Sequence, residues 1–166
     1  MSKLTPRKVN AFTFLNLPSA WWSGVRCTNI YGEKCEVQVT HNWFNKNPFK
    51  SLYFAVQSMA AELTTGALIM YYVQRYDIRL SMLVVENKSA FSKKATGKIK
   101  FSCCQGLAIK QAIKTMMETE EPQVIWVDSI GRNQVGEEVS RFSFKWSLKL
   151  KSPKQEKTLL RASAAI

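Results

Sequence analysis

The chain has 166 residues, of which 46% are hydrophobic, and its 24 lysines and arginines against 12 aspartates and glutamates give a formal net charge of +12. This length and composition fit one domain with a proper core, without internal repeats or low-complexity segments. The positive charge permits an anionic partner, which nucleic acid, an anionic membrane surface or a phosphate-bearing cofactor would equally provide. The basic residues are spread along the sequence, so a diffuse solvated surface is the simplest interpretation.

The amino-terminal segment and the cysteines argue against a secreted protein and against a zinc-binding protein. Residues 1–19, MSKLTPRKVNAFTFLNLPS, contain too many polar residues for a secretory signal, which indicates a cytoplasmic protein. The four cysteines lack the paired spacing of a zinc site, and His41 is the only histidine. We therefore expect reduced structural thiols and no metal.

The first quarter of the chain reads as a short helix followed by two strands. Residues 7–15 predict the helix, which Pro18 ends. Strands are predicted over 24–30 and 35–40, and the second alternates apolar with polar residues as a half-buried strand does. The two strands form a hairpin, and an asparagine-rich loop over 41–51 follows it.

The most informative segment is residues 47–74, NPFKSLYFAVQSMAAELTTGALIMYYVQ. Pro48 and Ser51 are typical of a helix entry, and from Leu52 about six turns follow without proline and with apolar residues on nearly every side. Such a helix has to be buried by the rest of the fold. Polar residues interrupt the apolar run over 52–72, which favours a core helix over a membrane span.

A single carboxylate, Glu62, lies at the centre of this helix. Ser58 precedes it by four residues and Thr65 follows it by three, so the three side chains are expected on one face. The residues around them are small, which leaves room for a ligand to approach the acid: Ala55, Ala60, Ala61 and Gly66. Because a buried glutamate is rare without a partner, this helix is both a core element and a candidate site. A glutamate satisfied by neighbouring hydroxyl groups is the alternative.

The second half of the chain predicts strands and one shorter helix. In order, the patterns indicate strands over 82–91 and 97–103, an amphipathic helix over 106–118, a short strand over 124–127 and a final strand over 142–150. Apolar and polar residues alternate without a fault in the final strand, so one face is core and the other is basic surface.

These elements together predict an α+β fold, in which a curved antiparallel sheet of about six strands wraps around the long helix. We expect a single domain over residues 1–152, with a short helical segment at its amino end. A polar, loosely held tail is expected over residues 153–166.

This arrangement, and above all NPFKSLYFAVQSMAAELTTG at residues 47–66, resembles the hotdog-fold acyl-CoA thioesterases of the phenylacetyl-CoA and 4-hydroxybenzoyl-CoA type. It is most similar to an uncharacterised bacterial subgroup of that superfamily, and the resemblance covers residues 20–150. It implies a hotdog domain with Asn47 and Glu62 at the family's two site positions. Where the family commonly has His-Gly between them, this chain has Tyr53-Phe54.

The resemblance also implies a role for each residue of the site. Glu62 is expected to act as base or nucleophile, Asn47 to orient water or substrate, and the backbone N–H of Phe54 to polarise the thioester carbonyl. The predicted substrate contacts are Tyr53, Ser58, Thr65, His41 and Asn42, the last two as substitutes for the missing histidine.

The proposed chemistry requires a second chain. Phe54 and Glu62 lie eight residues apart, roughly 12 Å along one helix, so one helix does not bring both to one carbonyl group. Two helices packed antiparallel across a homodimer do, and they give two equivalent sites. We therefore expect a homodimer, or a tetramer, that acts on acyl-CoA or another acyl-thioester. Coenzyme A is then part of the substrate, with its phosphates held by surface lysines, and no separate cofactor is expected.

Two other functions stay open at this point. In a non-catalytic acyl-CoA-binding or lipid-binding hotdog protein, Tyr53 and Phe54 close the pocket mouth and Glu62 is structural. A basic nucleic-acid-associated protein would interleave aromatic and basic residues on one face, whereas the final strand places them on opposite faces, so nucleic acid is not an expected partner. Hydration of an enoyl thioester ranks lower, because it usually asks for a His and Asp pair. Acyl-chain identity and the thiol carrier also stay open.

Overall fold

A computed structural model describes residues 4–151. The helices are α1 (Pro6–Asn16), α2 (Pro18–Trp22), α3 (Phe54–Tyr76) and α4 (Gly106–Thr119), and the strands are β1 (Arg26–Tyr31), β2 (Lys34–Thr40), β3 (Leu80–Phe91), β4 (Lys98–Cys103), β5 (Gln123–Arg132) and β6 (Glu138–Leu150). None of the helices within 4–151 is long and apolar enough to cross a membrane. The predicted tail over 153–166 lies outside the described residues.

The six strands form one sheet in the order β1-β2-β4-β5-β6-β3, and every neighbouring pair is antiparallel. The predicted α+β architecture with a six-stranded sheet is therefore confirmed. The alternation of the last strand is confirmed as well, since Phe142, Phe144, Trp146 and Leu148 are buried. The sheet is open, and β1 and β3 are its edge strands.

The long helix α3 packs against the inner face of this sheet, in contact with β1, β2, β4, β5 and β6. Its sheet-facing side is apolar and fully buried at Ala60, Ala61 and Leu68. The two alanines let the helix approach closely, and the Thr64 hydroxyl donates to Ser129 Oγ of β5 at 2.8 Å. This side of α3 is the core of the fold.

The start of α3 differs from the prediction. The helix begins at Phe54 rather than near Ser51, because the residues before it form a turn of their own. Asn47 Oδ1 accepts from the N–H of Ser51 at 3.1 Å, and the N–H of Leu52 donates to the Ala95 carbonyl at 2.8 Å. These bonds hold the entry segment outside the helix, so neither Pro48 nor Ser51 caps it.

The segment after α1 and the length of β5 also differ from the prediction. Pro18 does more than end the first helix, because it begins α2 in the first-turn position that suits proline. Strand β5 continues from Gln123 to Arg132 instead of stopping at 127, because β6 pairs with it over that whole length.

Candidate functional site

One face of α3 is left uncovered by the sheet. Residues at every fourth position along it are exposed or half-buried: Phe54, Ser58, Glu62, Gly66 and Met70. This spacing keeps the five on one side of the helix. Most of the circumference of α3 is buried, as expected, and the stripe that is not contains the predicted carboxylate.

A cavity of about 510 Å³ lies between this face and the amino-terminal helices. Its lining comes from α1, α2 and the adjoining residues (Leu4, Lys8, Val9, Phe12, Asn16, Leu17, Pro18, Ser19, Ala20), from α3 (Met59, Glu62, Leu63, Gly66, Ala67, Met70) and from the sheet (Met82, Trp146). Most of the lining is apolar. The volume lies within the ~300–1,000 Å³ that is usual for small-molecule pockets.

Glu62 lies on the wall of this cavity. Partial burial among the apolar lining raises the pKa of its carboxyl group above the usual value for glutamate, although part of the residue is still exposed to solvent in the single chain. Within residues 4–151 its carboxylate has no hydrogen-bond donor and no ion-pair partner. An unpaired, partly desolvated carboxylate is suited to accept a proton or to attack an electrophile.

The amino end of α3 carries a backbone amide without an acceptor among residues 4–151. Phe54 is the first residue of the helix, and among the described residues its backbone N–H donates to no acceptor. The Phe54 side chain is 55% exposed, and its ring meets that of Tyr53 edge-on, with the centroids 5.0 Å apart. This amide stands two turns from Glu62 on the same helix, so the single chain does not bring the two groups together.

The side chain of Asn47 is engaged within its own turn. Its Oδ1 accepts from the N–H groups of Phe49 at 3.0 Å and Ser51 at 3.1 Å, and its Nδ2 lies 3.0 Å from Ser51 Oγ. It does not line the cavity. In this structure Asn47 therefore shapes the entry to α3, and its predicted role in orienting water stays a prediction.

Thr65 and Ser58 lie beside the carboxylate along the helix but not in the cavity lining. Thr65 is fully buried, and its hydroxyl donates to the Glu62 carbonyl at 2.9 Å and accepts from Trp146 Nε1 at 3.0 Å. That hydroxyl thus fastens α3 to β6. Ser58 is half-buried on the uncovered stripe, where its side chain has room for a contact.

The loop that carries His41 and Asn42 is held by a residue that the sequence did not single out. Asn45 is buried, and its side-chain amide donates to the carbonyls of Ser23 at 3.0 Å and Thr40 at 2.9 Å, while its Oδ1 accepts from the Asn42 N–H at 2.8 Å. His41 Nε2 is buried without a partner among the described residues. Neither His41 nor Asn42 lines the cavity.

The sequence also did not indicate that the amino-terminal helices would cover the cavity. The amino-terminal region was predicted only as a helical segment, yet α1, α2 and the adjoining residues supply nine of the seventeen lining residues. The signal was present in the apolar positions Leu4, Val9, Phe12 and Leu17, but a short amphipathic helix does not reveal which surface it will cover.

The model of a family described as a domain of unknown function, DUF4442, matches residues 7–148. The chain belongs to this family. No curated protein matches the sequence significantly.

Solved structures show the same architecture at low sequence identity. A protein of unknown function from Pseudomonas aeruginosa, described as a "probable thioesterase", superposes with a TM-score of 0.78 at 19% identity, over 90% of this chain and 98% of its own. A protein of unknown function from Chlorobaculum tepidum gives 0.77 at 15% identity, over 90% and 99%. A thioesterase from Haemophilus influenzae gives 0.69 at 10% identity, over 90% and 93%. The predicted hotdog fold is thereby confirmed.

Proposed function

We propose that this DUF4442 protein hydrolyses acyl thioesters, with Glu62 at the reacting centre. The observation that carries the proposal is the Glu62 carboxylate, which has no partner among residues 4–151 and whose pKa is raised by burial, on the wall of a largely apolar cavity. The cavity suits an acyl group, and the carboxylate suits the bond to be broken. The thioesterase descriptions of neighbours with the same fold support this assignment.

The reaction follows from the chemistry of the carbonyl group. Glu62 takes a proton from a water molecule as the water oxygen bonds to the thioester carbon, and the carbonyl oxygen becomes an oxyanion. A backbone N–H directed at that oxygen stabilises the charge. The carbon–sulfur bond then breaks, and the thiolate leaving group receives the proton from Glu62. Direct attack by the carboxylate, with an anhydride hydrolysed afterwards, uses the same groups.

A homodimer supplies the amide that the single chain lacks. Edge strand β3 carries exposed apolar side chains, with Leu83 63%, Val85 49% and Phe91 48% exposed, and its outer edge has no strand partner among residues 4–151. Pairing of two such edges around a twofold axis continues the sheet and covers the apolar residues. In that arrangement Phe54 of one chain serves Glu62 of the other.

The substrate is an acyl-CoA or another acyl-thioester, with the coenzyme A moiety as part of the substrate. Basic side chains of the outer sheet surface, such as Lys98 and Lys149, are suited to its phosphates, and Tyr53, at the amino end of α3, is suited to the pantetheine arm. Localisation in the cytoplasm, where acyl-CoA is used, belongs to the same proposal.

A second candidate, an acyl-thioester-binding protein without turnover, is favoured by two observations. Tyr53 and Phe54 occupy the positions where the resembling enzymes have His-Gly, and the Asn47 side chain is committed to its own turn. Both features lower the number of polar groups that are free to act on a thioester carbonyl. The two candidates differ in whether thiol is released.

The deciding experiment measures thiol release from short, medium, long-chain and aromatic acyl-CoAs. The native protein is compared with Glu62→Gln, and Glu118→Gln is the matched control, because Glu118 is an exposed acid on α4 away from the cavity. We expect turnover that Glu62→Gln lowers by about 10²-fold or more and that Glu118→Gln leaves unchanged. Size-exclusion chromatography with light scattering verifies that all three proteins are dimers.

Two results would contradict the hydrolase. Equal turnover in native and Glu62→Gln protein would remove the carboxylate from the reacting centre. Tight binding of an acyl-CoA without any thiol release would establish the binding protein instead.

A further inference from the structure

The geometry points to an unbranched aliphatic acyl chain of medium length as the group that the cavity takes, with its carbonyl at Glu62 and its tail running under α1 and α2 toward Met70. This inference rests on the proposed function and names its substrate class. It departs from the aromatic acyl groups of the phenylacetyl-CoA and 4-hydroxybenzoyl-CoA enzymes that the sequence resembles.

The cavity is elongated along α3. Its α3 lining residues run from Met59 to Met70, and Glu62 stands near one end of that row. From Glu62 to Met70 the helix rises by roughly 12 Å. Because each carbon–carbon bond is about 1.5 Å long, a chain on the order of eight to ten carbons reaches from the carboxylate to the far end. A phenyl ring fills only part of that length.

The lining suits a flexible chain better than a flat ring. Three methionines, Met59, Met70 and Met82, contribute unbranched side chains that adapt to the shape of an apolar ligand. Of the seventeen lining residues only Lys8, Asn16, Ser19 and Glu62 carry polar side chains. The Asn16 amide already donates to the Phe12 carbonyl at 3.2 Å, so few polar groups are left to recognise a ring hydroxyl.

Gly66 keeps the passage open. It lies one helical turn after Glu62, about 6 Å further along the axis. A Cβ at this position would meet the Trp146 ring at 3.6 Å and Met82 Cε at 3.8 Å, which are ordinary contact distances. A larger side chain here therefore fits without strain at its Cβ, but its outer atoms occupy the channel beyond the first four or so carbons of the acyl chain.

The test measures binding of neutral alcohols, which avoids charge repulsion from Glu62 and does not require turnover. Calorimetry compares 1-butanol, 1-decanol and 4-phenylbutan-1-ol, the last two having equal numbers of carbons. The proteins are the native chain, Gly66→Val, the milder Gly66→Ala, and Ala108→Val as a control that places the same valine side chain at an exposed position of α4. Thermal unfolding shows which variants are folded.

We expect 1-decanol to bind about tenfold or more tightly than either other alcohol in the native and Ala108→Val proteins, because each buried methylene adds to affinity. Gly66→Val abolishes this preference and leaves 1-butanol unchanged. Gly66→Ala lowers the preference for 1-decanol partly, and this variant provides the test if Gly66→Val does not fold. Equal binding of the aromatic alcohol, full retention of 1-decanol affinity in the Gly66 variants, or no binding of any alcohol overturns the inference.

The acyl-CoA panel separates this inference from the proposed function. Hydrolysis of aromatic acyl-CoAs in preference to decanoyl-CoA would refute the aliphatic channel and leave the hydrolase standing. The expected alcohol binding without any thiol release would refute the hydrolase and leave the channel standing.

Discussion

The two sides of helix α3 differ in burial and in hydrogen bonding. The side against the sheet holds Ala60, Ala61 and Leu68 at 0% exposure, and its polar Thr64 is satisfied by Ser129. The opposite side holds Glu62, which has no partner among residues 4–151, with Gly66 and the 45% exposed Met70 beside the cavity. Complete packing and satisfied hydrogen bonds mark the stabilising side, and incomplete ones mark the candidate site.

The substitution with the largest expected effect on stability is Leu68→Ala, on the packed side of α3. Removing a fully buried leucine leaves a cavity in the core, so the free energy of unfolding should fall by about 2–5 kcal/mol. Urea unfolding followed by circular dichroism measures the change. A loss well below that range would show that this side of the helix packs less tightly than the structure has it.

Thr64→Val tests the polar contact on the same side. The substitution keeps the shape but removes the hydroxyl that lies 2.8 Å from Ser129 Oγ and 2.6 Å from the Ala61 carbonyl. It leaves Ser129 without that partner in the core, so a loss of about 1–3 kcal/mol is expected in the same unfolding assay. Ser58→Ala is the matched control on the uncovered stripe, and an equal loss there would erase the difference between the two sides.

Met70→Ala tests the uncovered side directly. Met70 is 45% exposed and lines the cavity, so its truncation should change the free energy of unfolding by only about 0.5 kcal/mol. A loss comparable to that of Leu68→Ala would mean that Met70 belongs to the core. The measurement is made at a fixed protein concentration, because a dimer couples stability to assembly.

The smallest expected effect is on the pH dependence of stability. Because burial raises the pKa of Glu62 in the folded state, the folded protein binds this proton more tightly than the unfolded chain. The contribution of Glu62 to stability therefore falls as pH rises from the unfolded to the folded pKa. Comparing unfolding of native and Glu62→Gln protein from pH 4 to 7 should show this decline only in the native protein. Parallel curves would indicate a fully solvated carboxylate.

The raised pKa has a counterpart in catalysis. If Glu62 is the base, the rate of thiol release should rise with pH through a midpoint above the usual glutamate pKa, in the opposite direction to stability.

Local periodicity predicted most of the fold. The alternation of β6, the apolar length of α3 and the amphipathic spacing of α4 each depend on residues close in sequence, and each prediction of element type is confirmed. The first and last residues of the elements were less predictable. Helix α3 begins at Phe54, later than predicted, because the backbone N–H of Leu52 donates to the distant Ala95 carbonyl, a contact that no local pattern encodes.

The candidate site was predictable only in part. Glu62 stood out because one acid on an apolar helix is unusual, and it lies on the cavity wall. Asn47 and Thr65 carried side chains of suitable chemistry, but the structure commits both to hydrogen bonds that fasten a turn and a helix. Whether a polar side chain is free for a ligand or engaged in a structural hydrogen bond depends on its neighbours in the folded chain.

The sequence by itself determined the sheet, the central helix and the position of its one carboxylate, because side-chain periodicity encodes which face of an element is apolar. Only the tertiary structure decided what that carboxylate faces. Packing of α1 and α2 roofed the cavity over Glu62 and Gly66, and Trp146, which donates to Thr65 from 81 residues away, closed its inner wall. Contacts between residues so distant along the chain arise from the way elements pack, and local patterns carry no record of them.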